Sequence, residues 1–64
     1  MQVSGWLETE NGAEMFDYEG ADIRAIAKQL KADFPEDAGE TDMEATDQDG
    51  EDVTQRLFTS LAKL

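Results

Sequence analysis

The sequence contains no cysteine and no histidine. Without cysteine there is no disulfide, no thiolate metal site and no thiol nucleophile. Without histidine, the most common general base and the most common transition-metal ligand are missing. The chain also lacks a nucleophile paired with a base and a glycine-rich phosphate loop. We therefore expect a protein without catalytic activity, metal site or cofactor.

Long apolar runs are missing too, and the first residues lack the basic start and apolar stretch of a signal peptide. These absences favour a cytoplasmic protein. A chain of 64 residues is expected to form a single domain over residues 1–64. Because a domain of this size buries only about 60% of its unfolded surface, we expect modest stability.

Basic residues are scarce. Five Lys and Arg stand against sixteen Asp and Glu, which gives a net charge of −11. The bases are confined to two segments with helical patterns, and they are Arg24, Lys28, Lys31, Arg56 and Lys63. Residues 1–23 and 32–55 contain acids and no base. Such a surface repels nucleic acids and anionic membranes and attracts basic protein surfaces.

A β-hairpin is predicted over Gln2–Glu19, with its turn at Asn11 and Gly12. Asn-Gly between two alternating runs favours a type I′ turn, in which both central residues have positive φ. The register that follows pairs Leu7 with Phe16, Gly5 with Tyr18, Trp6 with Asp17, and Glu8 with Met15.

The two faces of this hairpin differ in chemistry. The apolar face carries Val3, Leu7, Phe16 and Tyr18. The acidic face carries Glu8, Glu10, Asp17 and Glu19, with Trp6 and Met15 as diagonal neighbours among the carboxylates. An aromatic ring and a thioether surrounded by charge are typical of an interface anchor. The alternative is that the second helix or the chain end buries Trp6, or that this register is wrong and Trp6 belongs to the core.

Two amphipathic helices and a third strand follow the hairpin. The first helix is predicted over Gly20–Phe34, where the following proline stops it. A weakly apolar edge strand is predicted over Thr41–Thr46, and a second helix begins at Asp52 with the capping-box pattern Asp-Val-Thr-Gln. The fold expected is α+β with the order ββαβα, a three-stranded antiparallel sheet with two helices packed on one face. Strand three pairs with strand one, giving the order 2-1-3, or with strand two.

The uncovered face of this sheet is the candidate site for a partner. Carboxylates two residues apart on a strand are spaced by about 6.6 to 6.8 Å. One strand of a duplex has a phosphate about every 3.4 Å along the helix axis, so this spacing is close to that of every second phosphate. Two acidic loops, 36–40 and 47–52, extend the field beyond the sheet. The candidate partner-binding residues are Trp6, Glu8, Glu10, Met15, Asp17, Glu19, Asp42, Glu44, Asp47 and Asp49.

In size, charge and compact build, the chain resembles the small acidic inhibitors that phages and mobile elements direct against host defence, the anti-CRISPR and anti-restriction proteins. These proteins share no sequence motif, so no functional residue is carried over. The resemblance implies a non-catalytic DNA mimic in the host cytoplasm. Its partner would be a basic nucleic-acid-binding protein, such as a subunit of a CRISPR surveillance complex.

Two alternatives remain open at this stage. The first is a small acidic structural or accessory domain, either a phage assembly component or a salt-adapted protein. The second is weak divalent-ion binding by Asp47, Asp49, Glu51 and Asp52, although an EF-hand alignment of this segment fails at its first and last ligand positions. The sequence does not determine the oligomeric state; a monomer is favoured, whereas the structural alternative predicts oligomerisation or salt-dependent folding.

Overall fold

The computed structural model describes all residues 1–64 and has the element order ββαβα. The strands are β1 (Gln2–Thr9), β2 (Gly12–Glu19) and β3 (Met43–Asp47), and the helices are α1 (Ile23–Asp33) and α2 (Thr54–Ala62). The strands form one antiparallel sheet in the order β2-β1-β3. The predicted α+β class is confirmed, and β3 lies beside β1 rather than β2.

The core lies between the sheet and the two helices. Alternation along β1 sends Val3 and Leu7 to the helix side, and the apolar stripes of α1 and α2 meet them there. The buried residues are all apolar, and they are Val3, Leu7, Phe16, Ile26, Ala27, Leu30, Ala38, Met43, Ala45, Val53, Leu57 and Leu61. No polar or charged residue is buried, so apolar burial is the main source of stability.

The hairpin turn is not the type I′ turn predicted from Asn-Gly. Thr9 pairs with Gly12, so the loop consists of Glu10 and Asn11. Gly12 has a φ of 99°, but no non-glycine residue has positive φ, whereas a type I′ turn requires it at both central positions. The Thr9 hydroxyl stabilises the turn because it donates to the Gly12 carbonyl at 2.8 Å and accepts the Asn11 N–H at 3.1 Å.

The predicted hairpin register is therefore wrong by two residues. The observed pairs are Gly5 with Phe16, Trp6 with Met15, Leu7 with Glu14, and Glu8 with Ala13. Because side chains alternate between faces with a period of two, a shift of two residues changes each side chain's neighbours and leaves it on the predicted face.

The helix α1 is shorter than predicted at both ends. Asp22 caps its start by accepting the N–H of Ala25 at 2.9 Å. Phe34 is its C-cap, and the following Pro35 explains the stop because proline disfavours a helical residue before it. The residues Gly20 and Ala21 lie outside the helix.

The capping box predicted for α2 does not form. The N-cap is Val53, which makes no side-chain capping bond. Asp52 lies one residue earlier and accepts the Thr54 N–H at 2.9 Å. Hydrogen bonds from the side chain and amide of Thr54 lower the pKa of Asp52.

Strand β3 begins later than the predicted Thr41. The loop that ends α1 holds this residue, because the Thr41 N–H donates to the Asp37 carbonyl at 3.2 Å. The Thr41 hydroxyl donates to the Glu8 carbonyl at 2.6 Å. Both bonds fix the position of Thr41, two residues before β3 begins.

At Gly5 the backbone of β3 comes close to β1. A Cβ on Gly5 would overlap the Glu44 carbonyl oxygen and would lie 3.0 Å from the Ala45 Cα. These are backbone atoms of the neighbouring strand, so they cannot be displaced without separating β1 from β3. Glycine at this position therefore sets the spacing of the sheet.

We expect Gly5→Ala to destabilise the fold by about 1 to 3 kcal/mol, the usual range for overpacking a close contact. The measurement is urea denaturation followed by far-UV circular dichroism. Ser4→Ala is the control, because Ser4 is exposed on the same strand and should change stability by less than about 0.5 kcal/mol. Equal effects of the two substitutions would contradict the close approach.

Tyr18 links β2 to the end of α1. Its ring stacks on Phe16 with a centroid separation of 5.6 Å and an interplanar angle of 18°. Its hydroxyl donates to the Asp33 carboxylate at 2.6 Å. Burial raises the pKa of Tyr18, and the hydrogen bond and negative charge of Asp33 raise it further. The fold therefore favours the neutral phenol.

The raised pKa of Tyr18 predicts a loss of stability in alkali. In the unfolded chain the phenol ionises near pH 10, so its contribution is complete below that pH and is lost as the pH rises towards the folded value. We expect the melting temperature to fall less steeply above pH 10 in Tyr18→Phe than in the native protein. Parallel curves for the two proteins would contradict this assignment.

Candidate partner-binding face

The sheet face opposite the helices is covered by neither helix. We call it the open face. Its side chains are Gln2, Ser4, Trp6 and Glu8 of β1, then Ala13, Met15, Asp17 and Glu19 of β2, and Asp42, Glu44 and Thr46 in and beside β3. Apart from Trp6 and Thr46, which are half-buried, these side chains are exposed. The face is therefore available to a partner over all three strands.

Trp6 occupies the centre of the open face. Its cross-strand neighbours are Met15 on β2 and Glu44 on β3, so the predicted diagonal contact with Met15 is corrected to a direct pair. Met15 is 86% exposed. Trp6 does not belong to the core cluster or to the apolar residues packed against it. The alternative of a Trp6 buried under α2 is therefore wrong.

Carboxylates surround this apolar pair. Glu44 is directly beside Trp6, and Glu8 lies two residues along the same strand. Asp42 and Asp17 occupy the diagonal positions, because the backbone carbonyl of Asp42 accepts the Glu8 N–H at 2.8 Å and Asp17 pairs with Ser4. Cross-strand neighbours in a sheet have Cβ atoms about 4.5 to 5.5 Å apart. The open face thus combines an apolar centre with a negatively charged rim.

One of the rim carboxylates is held in place within the chain. The Gln2 side-chain amide donates to Asp17 at 3.1 Å, which orients this carboxylate along the sheet surface. Glu19 lies at the end of β2 opposite Gln2. These residues extend the acidic rim from the centre to one end of the sheet.

The other predicted site residues lie beyond the open face. Glu10 is exposed in the hairpin loop. Asp47 pairs with Val3 at the end of β3, and its carboxylate accepts the N–H groups of Asp49 at 2.9 Å and Glu51 at 3.0 Å. Asp47 therefore shapes the turn that follows β3, and Asp49 is exposed within that turn.

The basic residues lie on the opposite side of the molecule. Arg24, Lys28 and Lys31 belong to α1, Arg56 belongs to α2, and Lys63 follows it. Because both helices pack on the apolar face of the sheet, these cations do not neutralise the open face. The open face consequently carries acidic side chains and no lysine or arginine.

Residues outside the predicted set also shape the site. Gly5 brings β3 close enough to place Glu44 beside Trp6, and only its position within an alternating strand could have indicated this. Ser4 and Thr46 form the neutral part of the open face. Asp33 binds the Tyr18 hydroxyl, so its charge serves the fold on the helix side.

The structure offers few features for small-molecule chemistry. No group of three or more acidic side chains is placed to hold a metal ion. The one pocket has a volume of about 320 Å³ and lies on the helix side, lined by Ile23, Gln55, Arg56, Thr59, Ser60 and Lys63. No helix has the length and apolar character needed to cross a bilayer.

Concentrating charge on the open face should reduce stability, because like charges on neighbouring strands repel. We expect Glu44→Gln to stabilise the fold by about 0.2 to 1 kcal/mol at low salt, with a smaller gain at high salt, where screening is strong. Urea denaturation at two salt concentrations measures this.

Glu14→Gln is the matched control for Glu44→Gln. Glu14 is equally an exposed glutamate on an edge strand, but it lies opposite Leu7 on the helix side of the sheet. It should respond less, and an equal gain from both substitutions would show that only net charge matters.

Comparison of the chain with protein families, curated proteins and solved structures gives no match.

Proposed function

We propose that this protein is a non-catalytic inhibitor that mimics nucleic acid, and that its open face occupies the basic nucleic-acid-binding site of another protein. The observation that carries this proposal is the Trp6–Met15 pair, which is enclosed by carboxylates on the side of the sheet that neither helix covers.

The distribution of charge supports a basic protein as the partner. The net charge is −11, and every cation lies on or beside the helices. A surface of one sign steers a partner of the opposite sign and accelerates encounter, whereas like charges suppress the wrong partners. Nucleic acids and anionic membranes are thereby disfavoured as direct ligands.

The spacing of the carboxylates supports mimicry of a phosphate backbone. Charges two residues apart along a strand are separated by about 6.6 to 6.8 Å, as are Asp17 and Glu19 on β2 and Asp42 and Glu44 beside Trp6. Measured along the helix axis, one strand of a DNA duplex has a phosphate about every 3.4 Å. Lysine and arginine side chains that grip alternate phosphates would therefore meet carboxylates at similar intervals.

The apolar centre supplies contact surface that a partner can bury, which charge alone does not provide. Trp6 and Met15 present ring and thioether surface within the acidic rim. Interfaces depend on a few such residues, and the surrounding polar contacts exclude water from them. We assign to this pair the short-range affinity for one partner, and to the rim the attraction for basic surfaces in general.

The resemblance to anti-CRISPR and anti-restriction proteins in size, charge and build indicates the class of target. We propose a nucleic-acid-binding component of a host-defence complex, such as a CRISPR surveillance complex. Such a target has a basic groove that must remain open to DNA, so a small acidic protein bound there would block it without catalysis.

The test is a pull-down from a host lysate with the tagged protein at low and high salt, with duplex DNA as competitor. We expect retention of a basic nucleic-acid-binding protein at low salt and its release by either salt or DNA. Failure to retain any basic partner at low salt would refute the proposal, as would a retained partner that DNA does not displace.

Two charge reversals test whether the open face is the contact surface. Glu44→Lys places a cation beside Trp6, whereas Glu14→Lys makes the same change in net charge on the helix side of β2. We expect Glu44→Lys to weaken binding of the isolated target by about 2 kcal/mol or more, as for a charge pair at an interface. Glu14→Lys should have a much smaller effect, and equal losses would argue against a defined face.

A further inference from the structure

The two outer edges of the sheet are treated differently by the chain. The segment after β3 covers the outer edge of that strand, because the Val53 N–H donates to the Ala45 carbonyl at 2.9 Å. The Thr54 hydroxyl accepts the Ala45 N–H at 2.9 Å, and Thr46 forms a bridge with Asp52. No segment pairs with the outer edge of β2, which is the last strand on its side of the sheet.

The hydrogen-bond pattern identifies the backbone groups on the free edge. The Glu8 N–H donates towards β3, so even-numbered residues of β1 bond to β3 and odd-numbered residues bond to β2. On β2 the partners of those odd-numbered residues, such as Phe16 opposite Gly5, bond inwards. The backbone groups of the alternate residues point outwards, and these residues are Ala13, Met15, Asp17 and Glu19.

One outward group already has a partner, which confirms this direction. The Gln29 side chain donates to the Glu19 carbonyl at 2.8 Å. The carbonyls of Ala13, Met15 and Asp17 and the N–H groups of all four outward residues remain open to another strand.

The outward residues of the edge are also residues of the open face. Met15, Asp17 and Glu19 present their side chains on that face and their backbone groups at its border. A strand added beside β2 would therefore widen the open face and place every second side chain next to this row. Opposite charges across such a pair stabilise it, and like charges destabilise it.

The composition of the edge selects the strand that can pair with it. Natural edge strands are commonly protected by lysine, proline, other charged side chains or a covering segment. Strand β2 has no lysine, no proline and no covering segment, so acidic side chains are its only protection. Its charges on the open face are Asp17 and Glu19, whereas Glu14 lies on the helix side. In an added second copy these carboxylates would meet carboxylates, whereas a basic segment would meet them with opposite charge.

We infer that the free edge of β2 receives an extended basic segment of the partner as a fourth strand, with lysine or arginine on the open face beside Asp17 and Glu19. The inference rests on the proposed function in one respect, namely that the partner is a basic protein. It adds backbone pairing to the contacts of the open face.

A synthetic peptide tests this pairing without the natural partner. The probe is a capped peptide of about eight residues, a usual strand length, in which lysine alternates with valine. We expect it to bind the native protein at low salt and to slow hydrogen exchange of the Met15 and Asp17 amides in two-dimensional NMR spectra. A peptide with glutamine in place of lysine should bind about tenfold more weakly, since each cross-strand charge pair contributes up to about 1 kcal/mol.

Two N-methylated isomers separate backbone pairing from simple charge attraction. One carries the methyl groups on its lysines and the other on its valines, so both have the same charge and composition. Because alternate amides of a strand point in opposite directions, edge pairing requires one isomer to lose at least about tenfold in affinity, at about 1 kcal/mol per hydrogen bond. Loss by the lysine isomer indicates an antiparallel strand, and loss by the valine isomer a parallel one.

Several outcomes would overturn the inference. Equal affinity of the two isomers, or a change in Trp6 fluorescence without protection of the Met15 and Asp17 amides, would locate the peptide on the open face alone and leave the proposed function standing. Protection of these amides by self-association in the absence of peptide would assign the edge to a second copy. Edge pairing of the peptide without a DNA-displaceable partner in the lysate would instead refute the proposed function and retain the strand site.

Discussion

The position of β1 between two antiparallel neighbours is the constraint on which the rest of this structure depends. Its alternation divides the molecule, because Val3 and Leu7 face the helices while Trp6 and Glu8 face outwards. Because paired residues lie on the same face of the sheet, β2 and β3 also have one helix-facing side and one outward-facing side. The open face and the core-forming face are therefore the two sides of the same three strands. A change in strand register would alter the contacts on both.

This arrangement has an energetic cost that the small core must offset. The core has twelve buried residues, all apolar, and no disulfide supports it. Carboxylates on neighbouring strands repel one another, and a neutral or mixed open face would give a more stable sheet. Proteins often lose stability where a site is built for function. The acids of the open face are separated from the cations of the helices, and this separation fits such a local cost better than an even distribution of acids over the surface would.

The sequence predicts which face of the sheet each side chain occupies, but it does not predict which residues pair across the strands. Alternating residues determine which side chains lie together on a face, so Glu8, Asp17 and Glu44 were placed correctly. The neighbours of Trp6 depend on the turn, and there Thr9 competes with the Asn-Gly signal by bonding to the loop backbone. An error of two residues preserves the face and changes each pair, which is why Met15 was expected diagonally from Trp6 rather than beside it. The order of the sheet depends on Gly5 and Thr41, whose roles appear only when β3 is in place.

In the proposed function, charge acts at long range and contact geometry acts at short range. A net charge of −11 favours encounter with any basic surface, so it raises association rates without choosing among basic proteins. Choice requires groups that act only at contact, and the structure holds two kinds side by side: the Trp6–Met15 pair and the unpaired backbone of β2. Because Met15 belongs to both, a partner aligned with the edge would also be aligned with the apolar centre. In the proposed complex, the same carboxylates would attract the basic partner and would keep the free edge from pairing with another copy of the chain.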